Sequence, residues 1–460
     1  MRDHDAQWIA EATGAELYRD PAGAALTDGG APGGVGSGPA RVVIDSRAGQ
    51  VGPGDLFFGI PGERVDGGRF GVDALAAGAW GVLVRPEHAE AAAASGSGAI
   101  LLHEDPAAAL GALARAWRRE LGATVVGITG SVGKTSTKDL LTAILAPHRR
   151  TVATEANLNT EIGLPLTVLG APAGTEVLVL EMAMRGPGQI AELARIAEPD
   201  IGVITNVAPV HVELLGSLQA IADAKAELLH GLVPGGTAIL PVGERRLEGH
   251  RPHGIGIVTF GGPGSGADVA EGEPGWPSLT LDGEVSPTVL RNLPAAVAAA
   301  RAVGIEPAST IAPRISAMRG QRLHLAGDVV VVVDCYNANP MSVTAALDDL
   351  AASASGRRVA VLGDMLELGP DERRYHAEIG AHARDAGVEV LVAVGELSRH
   401  TGTGFAGAVH WVPDAAAAAA LVPRILEPGD TVLLKASRGI GLERVADALA
   451  DGDLADPGEA

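Results

Sequence analysis

The sequence of 460 residues contains little cysteine, few aromatic residues and an excess of negative charge. Its one cysteine, Cys335, excludes an intramolecular disulfide framework and a CxxC metal site. Aromatic residues make up 3% of the chain, which excludes the stacking platforms that bind single-stranded nucleic acid. Because 35 Lys and Arg residues face 56 Asp and Glu residues, the net charge is −21, and we expect no nucleic-acid partner.

Long hydrophobic runs are also missing. Although 47% of the residues are hydrophobic, no uncharged apolar run reaches the roughly 20 residues that a membrane span requires. The first residues, MRDHDAQWIAEATG, lack the basic-then-apolar order of a signal peptide. We therefore expect a soluble, cytoplasmic protein with no membrane span.

The abundant residues favour an α/β protein. From about residue 120, short Val/Ile/Leu runs alternate with longer Ala/Leu-rich stretches of helical spacing, a pattern that predicts a mainly parallel sheet covered by helices. The first 120 residues predict a smaller α/β domain with short strands at 42–44, 56–58 and 81–84. The fold class is therefore α/β.

Gly/Pro-rich segments divide the chain. One, at residues 21–39, is typical of a loop, and a second, at 261–277, is followed by an Ala-rich helix predicted at 294–303. The length suits about three domains. We predict boundaries that give domains at 1–120, 121–308 and 309–460.

A glycine-rich turn stands between an apolar strand and a helix at residues 125–136, VVGITGSVGKTS. The strict GxxxxGK[ST] spacing fails at Ile128, and the tighter form TGxxGKTS remains. Backbone N–H groups of such a turn, the helix N-terminus and the lysine attract phosphates, and the threonine hydroxyl suits Mg²⁺. The predicted nucleotide-binding residues here are Gly130, Ser131, Gly133, Lys134, Thr135 and Ser136.

Two further apolar strands lead to residues that suit a metal. The strand at 177–180 delivers Glu181, and the strand at 201–204 leads to His211. Ligands of open α/β sheets lie beyond the carboxyl ends of the strands, so we expect both residues to face the same crevice as Lys134. Both suit Mg²⁺ that already holds phosphate oxygens. The alternative is a solvated glutamate and an ordinary hydrogen-bonding histidine.

Lys225 lies on the apolar stripe of a predicted helix, at the i+7 position. The stripe is formed by Leu218, Ile221, Ala222, Leu228, Leu229 and Leu232. Desolvation there favours the neutral amine, the form that reacts with CO₂ to give a carbamate able to hold a second Mg²⁺. In the alternative, the stem packs and the ammonium reaches solvent.

Several ordered motifs resemble the Mur ligase family, the ATP-dependent amino-acid and peptide ligases of cell-wall synthesis. Besides the phosphate loop and Glu181, they are ITNVAPVHVE at 204–213, AKAE at 224–227, DCYNANPMS at 334–342 and VLGDMLELG at 361–369. The last two resemble the members that add D-Ala-D-Ala to UDP-MurNAc-tripeptide. The similarity covers nearly the whole chain, from DSR at 45–47 and GER at 62–64 to KASR at 435–438.

The resemblance implies an N-terminal domain that holds the UDP-sugar, a central ATP-binding domain of the P-loop type with helices on both faces of its sheet, and a C-terminal Rossmann-like domain. It implies ATP and Mg²⁺ as cofactors, with UDP-MurNAc-tripeptide and D-Ala-D-Ala as substrates. The implied magnesium ligands are Thr135, Glu181 and His211. The implied catalytic residues are Lys134, His211 and Lys225, and Lys225 matches a lysine that is carbamylated in some members.

The resemblance also assigns residues outside the phosphate loop. The implied further nucleotide contacts are Asn292, Arg322, Asp334, Tyr336 and Asn337. The UDP-linked substrate is implied to meet Ser46, Arg47, Asn157 and Thr160. The acceptor side is implied to be Lys435, Ser437 and Arg438.

Two blocks depart from the family's pattern. The run LRNLP at 290–294 replaces a GRHN-like run, so Asn292 is matched by position only, and ILPVGE at 239–244 replaces the usual LN.DD block. Because the stretch from there to residue 290 is short, we expect a trimmed central domain with an intact catalytic face.

The chemistry implied is carboxylate activation by ATP through an acyl phosphate, followed by attack of the acceptor amine, in an enzyme expected to be a monomer. Two alternatives stay open at this point. One is another Mur-family ligase with a different acceptor. The other is a nucleotide-dependent switch that ligates nothing, although the guanine-reading [NT]KxD pattern is absent.

Overall fold

The computed structural model describes residues 1–19, 38–47, 49–95, 97–209, 215–282, 284–405 and 407–451. Its strands are β1 Glu16–Arg19, β2 Arg41–Val43, β3 Asp55–Phe58, β4 Gly81–Val84, β5 Ala99–Leu102, β6 Thr124–Thr129, β7 Thr151–Ala153, β8 Val177–Glu181, β9 Ile201–Ile204, β10 Thr237–Pro241, β11 Gly256–Gly261, β12 Val269–Ala270, β13 Thr280–Leu281, β14 Thr310–Ile311, β15 Gln321–Leu325, β16 Val329–Val333, β17 Arg358–Gly363, β18 Val390–Val394, β19 Ala408–Val412 and β20 Thr431–Lys435.

The α-helices within the described ranges are α1 Ala6–Thr13, α2 Gly71–Ala76, α3 Ala89–Ala93, α4 Pro106–Leu121, α5 Lys134–Leu145, α6 Gly163–Gly170, α7 Gln189–Ala197, α8 Leu218–His230, α9 Pro287–Leu290, α10 Leu293–Ala302, α11 Pro340–Ser353, α12 Glu372–Asp385, α13 Arg399–Gly404, α14 Ala415–Ile425 and α15 Glu443–Asp451. Each of these helices is too short or too polar to cross a lipid bilayer.

Parallel pairing dominates the three large sheets. The N-terminal sheet has the order β1-β5-β4-β3-β2, with only β1 antiparallel to its neighbour. The central sheet is parallel throughout, in the order β12-β11-β10-β9-β6-β8-β7. The C-terminal sheet has the order β15-β16-β20-β17-β18-β19, with β15 antiparallel to β16. The predicted α/β class, with a parallel central sheet, is confirmed.

The strands and helices follow from the residue pattern. The predicted strands at 42–44, 56–58 and 81–84 correspond to β2, β3 and β4, and the Ala-rich helix predicted at 294–303 is α10. The uninterrupted apolar character of the three predicted strand segments is typical of strands that helices cover on both faces. Most of the predicted loop at 21–39 lies outside the described residues.

The first two sheets share one hydrophobic core through α4. Leu110 and Leu113 of α4 belong to the same buried cluster as Phe58 of the N-terminal sheet and Leu164 of α6. The indole of Trp117 donates a hydrogen bond to the carbonyl of Ala171 at 3.0 Å. The C-terminal sheet, in contrast, is covered on each face by buried residues of its own domain.

The topology of the central sheet brings three strand ends together. β6 lies between β8 and β9, with Ile128 paired to Glu181 across the β6–β8 ladder. The glycine-rich turn follows β6, Glu181 ends β8, and Thr205 follows β9. Since parallel strands end at the same edge of a sheet, these three segments meet there.

Candidate functional site

The phosphate loop needs glycine at two positions. Gly130 and Gly133 have φ of 149° and 84°, and α5 begins at Lys134 directly after the loop. A Cβ atom at Gly130 would lie 1.8 Å from Thr205 Oγ1, and one at Gly133 would lie 2.0 Å from Asn292 Oδ1. Any larger residue would therefore disrupt the loop.

The segment after β9 holds this loop in place. Thr205 Oγ1 donates a hydrogen bond to the carbonyl of Val132 at 2.6 Å, and Val132 N donates to Asn206 Oδ1 at 2.9 Å. The Ser131 hydroxyl donates to the carbonyl of Ala208 at 3.0 Å. The protein's own groups thus fix the loop, as electrostatic catalysis of phosphoryl transfer requires.

Lys134 curls back over the loop. Its Nζ donates a hydrogen bond to the carbonyl of Gly130 at 2.8 Å. Burial lowers the pKa of the Lys134 ammonium, Glu181 opposes this shift, and Arg319 adds to it.

Glu181 is buried, and its two carboxylate oxygens have different partners. Thr135 Oγ1 donates to Glu181 Oε2 at 2.8 Å, and Asn159 Nδ2 donates to Glu181 Oε1 at 2.9 Å. A hydroxyl oxygen and a carboxylate oxygen therefore lie side by side at the start of α5. Such oxygens are the ligands that Mg²⁺ prefers.

The arginine that reaches the phosphate loop is Arg319. Its Nη2 donates to Thr135 Oγ1 at 3.1 Å, and its guanidinium lies 4.0 Å from the centre of the Tyr336 ring. Arg322, which the sequence analysis assigned to the nucleotide, lines the same cavity but forms an ion pair with Glu284 at 3.0 Å. The buried Nε atoms of both arginines lack a hydrogen-bond partner among the described residues. Unpaired guanidinium N–H groups suit an anionic ligand.

Lys225 is one of the largest fully buried side chains, with 2% of its surface exposed. The alternative in which its ammonium reaches solvent is therefore wrong. Burial lowers the pKa of Lys225 well below its ordinary value, and the charge of Lys134 lowers it further. No described residue forms a hydrogen bond or an ion pair with its Nζ. His211 lies outside the described residues, and its predicted role stays a prediction.

The C-terminal domain adds a second set of polar groups. Lys435, at the end of β20, donates to Asp334 Oδ2 at 2.7 Å and to the carbonyl of Asn337 at 3.1 Å. Ser437 binds the turn after β17 through its hydroxyl, and Arg438 pairs with Glu443 at 2.8 Å. The parallel pairing of β16 with β20 brings these segments together.

Two adjoining cavities lie between the central and C-terminal domains. The first, of about 600 Å³, is lined by the phosphate loop, Glu181 and Asp334. The second, of about 340 Å³, is lined by residues 366–368 and Arg438. They share the residues Ser131, Lys134, Arg185, Tyr336, Asn337 and Asn339.

The remaining predicted residues fall into two groups. The first cavity is also lined by Asn157, Thr160 and Asn292. The linings of both cavities, drawn from the described residues, do not include Ser46 or Arg47. Arg47 instead pairs with the neighbouring carboxylate of Asp45, whose pKa this hydrogen bond lowers to about 2.

Sequence reasoning missed Arg319 and Asn159. Asn159 stands between two residues that were assigned to substrate, in a loop that follows β7. The Asn-x-Asn spacing of Asn157 and Asn159 is the sequence signal from which Asn159 could have been predicted as a site residue. Arg319 is followed by Gly320 with φ of 76°, and an Arg-Gly pair directly before a strand is the corresponding signal for a turned-back side chain.

The chain has four lysines in all, Lys134, Lys138, Lys225 and Lys435. The last three are buried, and Lys134 is half-buried. Lys138 forms a 2.6 Å ion pair with Asp139, whose carboxylate also accepts hydrogen bonds from Ser316 in the segment that leads to β15.

Three family models match this chain, in the order of its three large sheets. The first is "Mur ligase family, catalytic domain" at residues 40–118, the second is "Mur ligase middle domain" at 128–272, and the third is "Mur ligase, glutamate ligase domain" at 318–438.

Relatives and solved structures agree with these models. The UDP-N-acetylmuramoyl-tripeptide–D-alanyl-D-alanine ligase of Mycobacterium tuberculosis is 38% identical over 90% of this chain and 92% of its own length. A crystal structure of MurF from Acinetobacter baumannii has a TM-score of 0.84 at 25% identity, covering 98% of this chain and all of that one. MurF ligase from Thermotoga maritima in complex with ADP has a TM-score of 0.78 at 28% identity, covering 90% and 97%. The chain therefore belongs to the Mur ligase family.

Proposed function

We propose that this chain is an ATP-dependent ligase that joins D-Ala-D-Ala to UDP-MurNAc-tripeptide in peptidoglycan precursor synthesis. The observation that carries the proposal is the meeting of two cavities around Lys134, Tyr336 and Asn337. A nucleotide in one cavity and an acceptor in the other would come together at that point. The names of the relatives, which cover most of the chain, support these substrates.

The first cavity suits ATP with Mg²⁺. Its phosphate end has the loop N–H groups and Lys134, and Arg319 and Arg322 each add a buried Nε–H group without a described hydrogen-bond partner. The paired oxygens of Thr135 and Glu181 fit a hard cation, and we assign His211 to the same metal on the family resemblance. Bound Mg²⁺ supplies neutralisation of phosphate charge.

The first step follows from these contacts. The terminal carboxylate of the UDP-linked tripeptide attacks the γ-phosphorus of ATP, the bond between that phosphorus and the bridging oxygen breaks, and ADP leaves. Lys134 and Arg319 stabilise the negative charge on the transferred group. We propose that the tripeptide is held by Asn157 and Thr160, which line the same cavity. The UDP end is proposed to bind Ser46 and Arg47, at a distance from the reacting atoms.

The second step takes place where the two cavities meet. The amine of the acceptor attacks the acyl carbon, inorganic phosphate leaves, and the amine loses a proton. We propose that Lys435, Ser437 and Arg438 form the acceptor side. Arg438 lines the second cavity, and its guanidinium suits the acceptor's carboxylate. Lys435 and its partner Asp334 orient the loop that carries Asn337.

We propose that Lys225 is carbamylated. A buried lysine without a described partner is neutral more often than an exposed one, and its amine nitrogen adds to the carbon of CO₂ with loss of one proton. The product is a carboxylate in a site where Lys134 already supplies a positive charge. That charge balance is the physical reason for the modification.

Contacts between the central and C-terminal domains would help to keep water away from an acyl phosphate. Asp349 of α11 accepts hydrogen bonds from the backbone N–H and the hydroxyl of Thr288, and from Arg291 at 3.3 Å. These residues all line the first cavity, Thr288 and Arg291 from the central domain and Asp349 from the C-terminal domain. Since one chain supplies both walls, we propose that a monomer is sufficient.

The test is a ligation assay with purified UDP-MurNAc-tripeptides that carry diaminopimelate or lysine, and with D-Ala or D-Ala-D-Ala as acceptor. We expect phosphate release only when tripeptide and dipeptide are both present. Hydrolysis of ATP without either peptide would favour the switch, and turnover with D-Ala alone would favour a relative with another acceptor.

A variant pair connects the assay to the phosphate loop. Lys134→Ala should abolish ligation and leave the circular dichroism spectrum unchanged, because the hydrogen bond that Lys134 forms among the described residues ends on the phosphate loop itself. Arg149→Ala removes an exposed cation outside both cavities and is the matched control. Normal turnover by Lys134→Ala would contradict the proposal.

A further inference from the structure

A buried histidine lies directly behind the wall of the second cavity. His376 of α12 is 1% exposed. Its Nε2 accepts a hydrogen bond from Met365 N at 2.9 Å, and its Nδ1 lies 2.7 Å from the carbonyl oxygen of Glu372. Since a backbone N–H can only donate and a carbonyl can only accept, the ring is neutral, with its proton on Nδ1.

The turn that His376 supports is held at three successive residues. The carbonyl of Asp364 accepts from Ser437 N at 3.1 Å, Met365 N donates to His376, and Leu366 N donates to Ser437 Oγ at 2.9 Å. Two of these bonds come from Ser437, which was assigned to the acceptor side. The third comes from His376 alone.

Leu366 is the apolar residue that this turn presents. It is 41% exposed, one of the few large hydrophobic side chains in the described residues with so much open surface, and it lines the second cavity. Arg438 lines the same cavity. An apolar side chain and a guanidinium in one small cavity match a short peptide with a methyl group and a carboxylate.

We propose that His376 is a positioning residue that holds the Asp364–Leu368 turn so that Leu366 contacts a methyl group of the acceptor. This inference rests on the proposed function. His376 touches no substrate and acts through the Met365 hydrogen bond. Leu366 is the residue that selects an alanyl over a glycyl acceptor.

The surroundings keep His376 in its neutral form. The charged or titratable groups that face it are Asp364 at the end of β17, Glu372 at the start of α12, and His400 of α13. Burial lowers the pKa of His376, and this effect exceeds the opposing influence of the hydrogen bond to Glu372 and of the two carboxylates. Protonation at Nε2 would remove the acceptor for Met365 N.

The variants are His376→Leu, which cannot accept the hydrogen bond, His376→Gln, which places an amide oxygen near the position of Nε2, and Leu366→Ala. His382→Leu is the matched control, because His382 lies on the same helix but is only half-buried, pairs with Asp348 and lines neither cavity. We expect His376→Leu and Leu366→Ala to raise the KM for D-Ala-D-Ala by about tenfold, with the KM for ATP within about twofold of wild type. His376→Gln should recover most of the affinity.

Three further readouts separate positioning from general damage. Amide exchange of residues 364–368 should be faster in His376→Leu than in the control. The preference for D-Ala-D-Ala over Gly-Gly, about fourfold for each buried methyl group, should shrink in both Leu366→Ala and His376→Leu. The two changes combined should cost less than the product of the single effects.

The inference is overturned if His376→Leu leaves the KM for the dipeptide unchanged, or if it raises the KM for ATP equally. It is also overturned if Leu366→Ala keeps the full preference over Gly-Gly. Absence of ligation by the wild-type chain would instead refute the proposed function, so the two failures are distinguishable.

Discussion

Replacement of Arg319 by alanine should reduce turnover far more than replacement of Arg322. Arg319→Ala removes the hydrogen bond to Thr135 at 3.1 Å and the stacking on Tyr336 at 4.0 Å. It also removes an unpaired N–H group next to the phosphate loop. Arg322→Ala removes a cation of the same cavity that is already paired with Glu284.

The magnitude follows from the two contacts. A hydrogen bond that involves a charged group contributes about 1.5–3 kcal/mol, and a cation–π contact about 0.5–2 kcal/mol. If both are used in the transition state, the loss is about 2–5 kcal/mol, which is roughly a 30- to 5,000-fold decrease in kcat. For Arg322→Ala we expect a rise of about tenfold in the KM for ATP, with kcat within about threefold of wild type.

The assay is steady-state phosphate release with both peptides present, on variants whose circular dichroism spectra match the wild type. Arg319→Lys is a useful intermediate, because it keeps the charge but loses the planar stacking on Tyr336. If Arg319→Ala keeps kcat within threefold of wild type, or if Arg322→Ala has the larger effect on kcat, the reasoning from contact geometry is refuted.

Three further predictions concern buried titratable groups. Wild-type protein in ¹³C-bicarbonate should show a carbamate ¹³C resonance that is missing in Lys225→Arg; an unchanged resonance in that variant would place the modification elsewhere. Burial lowers the pKa of His376 below its ordinary 6.5, so the unfolded state binds the extra proton first as the pH falls. The free energy of unfolding should therefore decrease below pH 6.5, by up to about 1.4 kcal/mol per pH unit. Urea titrations of His376→Gln should lack this contribution to the pH dependence. Asp430 is 1% exposed and accepts two hydrogen bonds from Arg357, so Asp430→Asn should lower the free energy of unfolding by about 3 kcal/mol, and a change below about 0.5 kcal/mol would contradict that role.

The phosphate loop could be predicted from the sequence because the residues that identify it are local. The apolar strand, the two glycines, Lys134 and Thr135 lie within a dozen consecutive residues. Because a helix follows the loop, its N-terminus faces the loop and favours an anionic ligand. The approach of Glu181 was also predictable, since neighbouring parallel strands end at one edge. Strand order itself, which puts β6 between β8 and β9, came only from the structure.

Contacts between domains could not be predicted in this way. Arg322 and His324 stand two residues apart in β15, so they share one face of the strand and both bind Glu284. Arg319 precedes that strand and turns back toward Thr135, which lies 184 positions earlier in the chain. Which arginine faces the loop depends on the path of the segment before β15. Lys435 and Asp334 likewise meet because β20 pairs with β16.

The small number of lysines and their burial have a practical consequence for labelling. Arginine supplies nearly all the positive charge on the outer surface, so reagents that acylate lysine side chains find few targets in the native protein. Lys134 should be the lysine that such reagents find first, and bound nucleotide should shield it. Loss of label at that one lysine would therefore measure nucleotide occupancy without an engineered tag.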